Sequence, residues 1–193
     1  MLFRSGVSVR AHPTYDGRRM ADVTLESVRA PNDARLGATG AGATILQSAI
    51  ETATAALAAE AVGIMATTLN VTVDYLKTRR QFGVSIGSFQ ALQHRCVDML
   101  IQVELARSMA LFAAVSLALE DAAERARNIA AAKIQIGRAG RFIGQQAVQL
   151  HGAIGITAEY QVGHAFKRLT AIDALFGDAN HHLDVLAAAG GLA

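Results

Sequence analysis

The spacing of apolar residues changes once along this chain. Near the start it has a period of two: Val7-Ser8-Val9-Arg10-Ala11 alternates, and Ala21, Val23, Leu25 and Val28 form a second apolar series after a Tyr15-Asp16-Gly17 turn signal. Such alternation predicts strands. Pro31-Asn32-Asp33 and the run Gly37 to Gly42 then read as a loop. From about Ala43 the period becomes helical. Leu46, Ile50, Ala53, Leu57, Ala61, Ile64 and Val71 recur at steps of three and four, which predicts one long helix to Thr78. It carries only Glu51, Glu60, Asp74 and Lys77 as charges, so most of its faces should be buried.

Residues 81–87 break this helix. A second should start near Ser88 as N-cap, run along Leu92, Cys96, Met99, Val103, Ala106, Met109 and Ala113, and end near Glu120. Asp121 then caps a third helix, through Ile129, Ile134, Ile136, Phe142, Ile143, Val148 and Leu150, that stops at Gly152-Ala153-Ile154-Gly155. A fourth covers about 158–175 and a short fifth 180–188. Long helices on short connections predict a mainly α fold, an antiparallel up-down helical bundle over residues 37–193. Residues 1–36 form a short β remnant ahead of it, too small to be a stable sheet alone. Met1-Leu2-Phe3-Arg4-Ser5 leads straight into the alternation. The chain reads as starting inside a strand of a longer protein, with its first residues left over from cloning.

Composition narrows the class. Of 193 residues, 39 are alanine, 52% are hydrophobic and 18% are charged, which excludes a disordered chain and disfavours an all-β fold. One cysteine, Cys96, excludes a disulfide scaffold and fits a reducing, cytoplasmic setting. A net charge of +2 without clustered Lys/Arg argues against nucleic-acid binding. The uncharged apolar stretches 61–73 and 108–119 fall short of the ~18 residues of a membrane span.

Several chemical readings are weak. The Gly37–Gly42 loop lacks the following Lys-Ser/Thr of a phosphate-binding loop. His181-His182 with Asp184 diverge around a helix and make a poor metal set. His94 and His164 read as structural or solvent-facing, and Cys96 as an inert core thiol. Two clusters are stronger. In Thr78-Arg79-Arg80-Gln81-Phe82-Gly83, arginines end a nearly neutral helix. They either complement the helix dipole or clamp a diphosphate. In Gln149-Leu150-His151-Gly152-Ala153-Ile154-Gly155, an amide precedes a small-residue turn. That turn reads as a C-cap and as a backbone N–H cradle for phosphate oxygens.

Together these clusters resemble the acyl-CoA dehydrogenase family. Its Thr-Arg-x-Gln-Phe-Gly and Ile-x-x-Phe-Gln signatures match Thr78 to Gly83 and Ile86, Phe89, Gln90, and its Gln-x-x-Gly-Gly-x-Gly signature matches from Gln149 onward, through Tyr160. The resemblance covers most of the chain: the helical carboxyl-terminal domain and the last strands of the β-domain before it. It implies FAD, with Arg79, Phe82, Gln90, Gln149, Gly152 and Ala153 at the diphosphate end of a neighbouring subunit's cofactor. It therefore also implies a homo- or hetero-oligomer, usually a dimer of dimers. The implied reaction is α,β-dehydrogenation of an acyl-CoA thioester, with an electron-transfer flavoprotein-like acceptor.

Two departures stand out. Ala153 replaces the usual second glycine, which is mild at negative φ and disruptive at positive φ. The family's base is a glutamate in a turn after the fourth helix, where this chain has Phe176-Gly177-Asp178. A minority of the family carries it on the first helix, at a position matching Ala53. Glu51 and Asp178 are the nearest carboxylates. Glu51 points about 200° away from the Ala53 direction, and Asp178 also suits an N-cap. Three readings follow: a dehydrogenase with a displaced base, a base-lacking partner subunit of a heteromeric dehydrogenase, or a structural bundle without flavin.

Overall fold

The computed structural model describes residues 5–190; the reading of residues 1–4 as cloning remnants lies outside them, as do residues 191–193. Two compact units meet in sequence between Ala49 and Ile50. In the first, β1 (Val7–Pro13) and β2 (Arg19–Leu25) form an antiparallel hairpin with Val7 opposite Leu25 and Pro13 opposite Arg19. Gly17, at φ 82°, makes the turn, and its N–H bonds the Thr14 carbonyl at 3.0 Å. Val9 and Val23 form an apolar cross-strand pair, and both are exposed.

Helix α1 (Gly42–Thr78) begins in the first unit and continues into the second. There it is joined by α2 (Gln90–Ser116), α3 (Ala122–His151), α4 (Gln161–Ala174) and α5 (Ala179–Ala188). Side-chain contacts set the directions. Glu51 meets Arg125 and Tyr75 meets His151, so α1 and α3 run in parallel. Arg95 bonds Gln146 at 3.0 Å and Gln102 bonds Gln135 at 3.1 Å, so α2 is antiparallel to α3. A Cβ on Gly137 would meet Asp173, one on Gly140 would meet Leu169, and one on Gly144 would meet Phe166, which makes α4 antiparallel as well. The architecture is the expected up-down bundle. Its core packs Ala61, Met65 and Leu69 of α1 against Met99 and Val103 of α2 and Ile136, Ala139 and Ile143 of α3. Alanine and glycine on α3 bring the helices close.

Local details differ from the sequence reading. Ser88 is not an N-cap. It lies inside a 3-10 turn (Ile86–Ser88), its hydroxyl donates to the Ser85 carbonyl at 2.7 Å, and Phe89 precedes α2. Helix α2 stops at Ser116, because Leu119 turns its carbonyl to the Arg125 guanidinium at 2.7 Å. Helix α4 starts at Gln161, because a 3-10 segment (Gly152–Ile156) and a turn closed by the Tyr160 N–H on the Thr157 carbonyl occupy the residues before it. The expected Asp121 cap is present, accepting from the N–H groups of Ala123 and Glu124.

The membrane expectation is also corrected. By length and composition α1 and α2 are long and apolar enough to cross a membrane, because their few charges are spread along 37 and 27 residues. In this fold both bury a face in the bundle core: Met65 and Leu69 of α1, Met99 and Val103 of α2.

Candidate functional site

Both sequence clusters come to one end of the bundle, where α1 and α3 finish and α2 begins. After Thr78 the chain forms a small hairpin, β3 (Arg80–Gln81) and β4 (Val84–Ser85), paired Arg80 to Ser85 and Gln81 to Val84. Its two-residue loop, Phe82-Gly83, has φ 53° and 80°, the doubly left-handed turn whose twist suits a hairpin. The hairpin is tied to the end of α1. The Ser85 hydroxyl donates to the carbonyls of Leu76 and Lys77 at 2.8 and 2.9 Å, two groups left unpaired by helix termination. The Ile86 N–H bonds the Arg79 carbonyl at 2.9 Å, and Gly87 lets the chain pass over Leu76, whose carbonyl oxygen a Cβ would meet at 2.9 Å.

This frame presents side chains outward. Phe82 is 89% exposed at the hairpin tip and meets Phe89 edge-on, with ring centroids 6.1 Å apart. Arg80 bonds the Gly83 carbonyl at 3.1 Å. Arg79 is exposed, and among the described residues no hydrogen bond or ion pair holds its guanidinium. Gln90, on the first turn of α2, is exposed too.

The second cluster is fixed to the first through His151. Its ring stacks on Tyr75 of α1 at 4.4 Å and lies 5.1 Å from Tyr160. The Tyr75 hydroxyl donates to the His151 carbonyl at 3.4 Å. The His151 Nδ1 bonds the Ala147 carbonyl at 2.8 Å, which places the ring proton there and leaves Nε2 buried without a partner. Burial pushes this imidazole below the ordinary histidine range, against the pull of that bond. The Arg95–Gln146 bond ties α2 to α3 at the same end.

Gln149, Gly152 and Ala153 lie on the surface beside this stack. Gly152 adopts φ 65° and ψ −142°, a backbone open mainly to glycine. Ala153 is not among the left-handed residues, so its methyl is accommodated. The expected N–H cradle is smaller than the sequence implied, because the Gly152 N–H is spent on the carbonyls of Gln149 and Val148. What remains is an exposed unpaired guanidinium, an exposed ring and two exposed amides. That set suits a diphosphate with an aromatic group attached. It holds no acid or base.

The two candidate carboxylates lie away from this end. Glu51 is buried, and its Oε2 accepts from Arg125 Nε at 2.6 Å. Asp178 accepts from the His181 N–H at 2.8 Å as the N-cap of α5, and that bond holds its carboxyl below the usual carboxylate range. Asp178 also borders a cleft of about 270 Å3 with Arg138, Arg141 and Asp173. Phe176 sits at φ 58° in the turn before it.

The sequence reading missed the group that supports this turn. Lys133 of α3 is fully buried, and its Nζ donates to the carbonyls of Asp173 and Gly177, both at 2.7 Å. Burial pushes this ammonium below the ordinary lysine range, while the carboxylates of Asp173 and Asp178 pull it back. A lysine between Ile129 and Ile136 on the apolar face was the available signal. The weaker readings resolve into structural roles. His182 Nε2 bonds the Phe176 carbonyl at 3.1 Å and His164 Nε2 bonds the Ala158 carbonyl at 2.8 Å; Cys96 is half-buried rather than in the core, and that burial raises its thiol above the ordinary range.

Comparison with known proteins covers nearly the whole bundle. Residues 40–191 match the family model described as acyl-CoA dehydrogenase, C-terminal domain. An acyl-CoA dehydrogenase named IpdE2 from Mycobacterium tuberculosis is 38% identical over 118 residues, which is 61% of this chain and 35% of that protein. The solved structure of glutaryl-coenzyme A dehydrogenase with glutaryl-CoA matches with TM-score 0.87 and 28% identity, over 96% of this chain and 47% of that one. The FAD complex of PigA matches with TM-score 0.85 and 25% identity, over 97% and 49%. The chain thus spans about half, or less, of the proteins it matches.

Proposed function

The chain belongs to the acyl-CoA dehydrogenase family, and from that premise we propose that it is the cofactor-anchoring, subunit-pairing part of a flavin-dependent enzyme that α,β-dehydrogenates an acyl-CoA thioester. Residues 37–193 are its helical domain and residues 1–36 the end of its β-domain. The observation that carries the proposal is the exposed, unpaired Arg79 beside the hairpin tip of Phe82, at the same end as Gln149 and Gly152. On this reading the displayed side chains serve a group outside their own fold. On this reading Arg79 neutralises the diphosphate of an FAD held mainly by a neighbouring subunit. Phe82 covers its aromatic part, and Gln90 and Gln149 donate amide hydrogens. Gly152 and Ala153 keep the approach free of bulk.

FAD, when bound, supplies the acceptor for the hydride that leaves the substrate's β-carbon. An α-proton must leave to a base, and a polarised thioester carbonyl makes that proton acidic enough. None of the residues at the Arg79 end can take it. An electron-transfer flavoprotein-like acceptor then reoxidises the enzyme, in the cytoplasm.

A second reading has its own support. By the resemblance, read without gaps from Tyr160, Phe176 stands where the family's base is expected, while Glu51 bonds Arg125 and Asp178 caps α5. These favour a base-lacking subunit that pairs with a catalytic one. Gel filtration of the protein in its full reading frame, followed by flavin absorbance, tests the proposal. Bound FAD is expected, and Arg79→Ala should reduce its retention about tenfold or more, the loss of one charge-assisted contact. The 193 residues alone should release it. An absence of flavin in the longer protein sinks the proposal in favour of a structural bundle. Flavin without turnover, with turnover restored by a neighbouring gene's product, selects the second reading.

A further inference from the structure

Both halves of the exposed site hang on one buried pair of rings. Tyr75 lies four residues before Arg79, and its carbonyl accepts from the Arg79 N–H at 2.8 Å. His151 stands between Gln149 and Gly152 at the end of α3. The two rings stack with centroids 4.4 Å apart and planes at 28°. The chain beyond Gly152 folds back over the imidazole: a Cβ on Gly155 would meet the His151 Cβ at 3.0 Å. Displacing this ring therefore displaces the Arg79 segment and the Gln149–Gly152 turn together.

The packing suits one protonation state. Nδ1–H donates to the Ala147 carbonyl, and Nε2 is a buried lone pair without a partner. A second proton would sit on Nε2 with no acceptor and bring a charge into a buried place. The faces of Tyr75 and Tyr160 would attract such an imidazolium. Burial outweighs that attraction and keeps the ring neutral below the ordinary histidine range. Tyr75 and Tyr160 are the titratable groups that face the ring. Charges on the same elements turn away from it. Asp74 and Lys77, beside Tyr75 on α1, are exposed and pair with each other at 3.9 Å. Glu159, before Tyr160, is exposed, and so is His164 on α4, which bonds the Ala158 carbonyl.

We propose that His151 is the positioning residue of the cofactor end: its neutral ring holds Arg79, through Tyr75, and Gln149 with Gly152 in one arrangement, and a proton on Nε2 releases both segments. The role rests on the flavin reading. Its consequence is a site that opens as pH falls. The opened segment takes a proton in the ordinary histidine range, near ~6.5, and the closed one does not. Opening should grow by up to about tenfold per pH unit below that value, until the closed form is protonated as well.

Hydrogen exchange of the 193-residue chain, corrected for intrinsic rates between about pH 7.5 and 5.5, tests this without any cofactor. Opening of residues 75–79 and 147–155 should rise by up to about tenfold per unit in the wild type. It should stay flat in His151→Phe, whose ring stacks but takes no proton, while residues 129–139 of α3 respond alike in both. The same slope in wild type and variant overturns the proposal. Should the variant not fold, ring-nitrogen NMR of the wild type decides: a neutral Nδ1–H imidazole at about pH 6 supports it, and an imidazolium there overturns it. In the longer protein, flavin retention should fall with pH in the wild type and hold in His151→Phe. Flavin lost equally from both overturns the role of His151 and leaves the flavin reading standing. No flavin at any pH refutes the flavin reading, and hydrogen exchange still decides whether the His151 ring holds the two segments.

Discussion

Removing the Glu51 carboxylate separates a structural group from a chemical one. Its side chain is 4% accessible, that of Arg125 is 17%, and they meet at 2.6 Å. Deleting one member of a buried pair costs about 3–5 kcal/mol, because the other charge is left without compensation. Arg125 keeps its bond to the Leu119 carbonyl and some water, so Glu51→Ala belongs at the low end, about 3 kcal/mol. Glu51→Gln still offers an oxygen to the guanidinium and loses only the charge assistance, about 1–2 kcal/mol. A chain of this size shifts by roughly 2–4 °C per kcal/mol. The melting temperature should therefore fall by about 6–12 °C for alanine and about 2–8 °C for glutamine, read by circular dichroism. A cycle with Arg125→Met should show coupling of about 1–3 kcal/mol. In the longer protein, turnover per folded molecule should survive Glu51→Gln. An alanine variant melting with the wild type removes the ion-pair argument. A glutamine variant that melts normally but loses turnover makes Glu51 the base.

Three further outcomes follow from the same end-to-end reading of α3. Gly152→Ala should cost about 1–3 kcal/mol from backbone strain alone, since no atom lies within 4 Å of the added Cβ; chemical denaturation should show it, with Ala153→Gly far milder. Lys133→Met strips two carbonyls of their donor, and should cost about 2–4 kcal/mol after the relief of not burying an ammonium. Because the folded lysine lies below its unfolded value, wild-type stability relative to Lys133→Met should rise with pH between the folded value and the ordinary lysine range. Asp178 has the opposite kind of partner: its lowered carboxyl gives stability that is present above the ordinary carboxylate value and fades as pH falls through the folded one. Asp178→Asn, which keeps a capping oxygen, should flatten that acid limb in melting curves; an unchanged limb would exclude the cap as its source.

How much of the fold was legible depended on whether local chemistry and packing agreed. Asp121 was readable because a cap acts on N–H groups two and three residues on, and the structure has those bonds. Ser88 misled because a second local partner, the Ser85 carbonyl, competes for the same hydroxyl. The end of α2 was not legible, because a guanidinium six residues away in sequence takes the Leu119 carbonyl. The candidate site divided in the same way. Arg79, Phe82, Gln149 and Gly152 belong to short contiguous motifs, and their exposure agrees with a role outside the fold. Their convergence rests on Tyr75 and His151, 76 residues apart, which no local pattern joins.

Lys133 and the outer stripe of α2 escaped for one shared reason: a periodicity search asks which face is buried and assumes a single answer. A lysine on the apolar face is discounted as an exception, although in a bundle it marks the place where backbone carbonyls at a helix end need a donor that no water supplies. A helix apolar on opposite faces has little net amphipathicity, so it resembles a wholly buried or membrane-crossing segment. Here one face meets Met65, Ile136 and Ile143 inside the chain, and the other is largely exposed, with Val97 and Leu100 bordering a groove beside Leu69 and Val73 of α1. The polar interruption by Glu104 and Ser108 distinguishes the two cases. A core or a bilayer would select against a carboxylate at the centre of the stripe, and here Glu104 pairs with Arg107 of its own helix at 3.3 Å while the Ser108 hydroxyl donates to the Glu104 carbonyl at 3.0 Å, the arrangement of a solvated helix face.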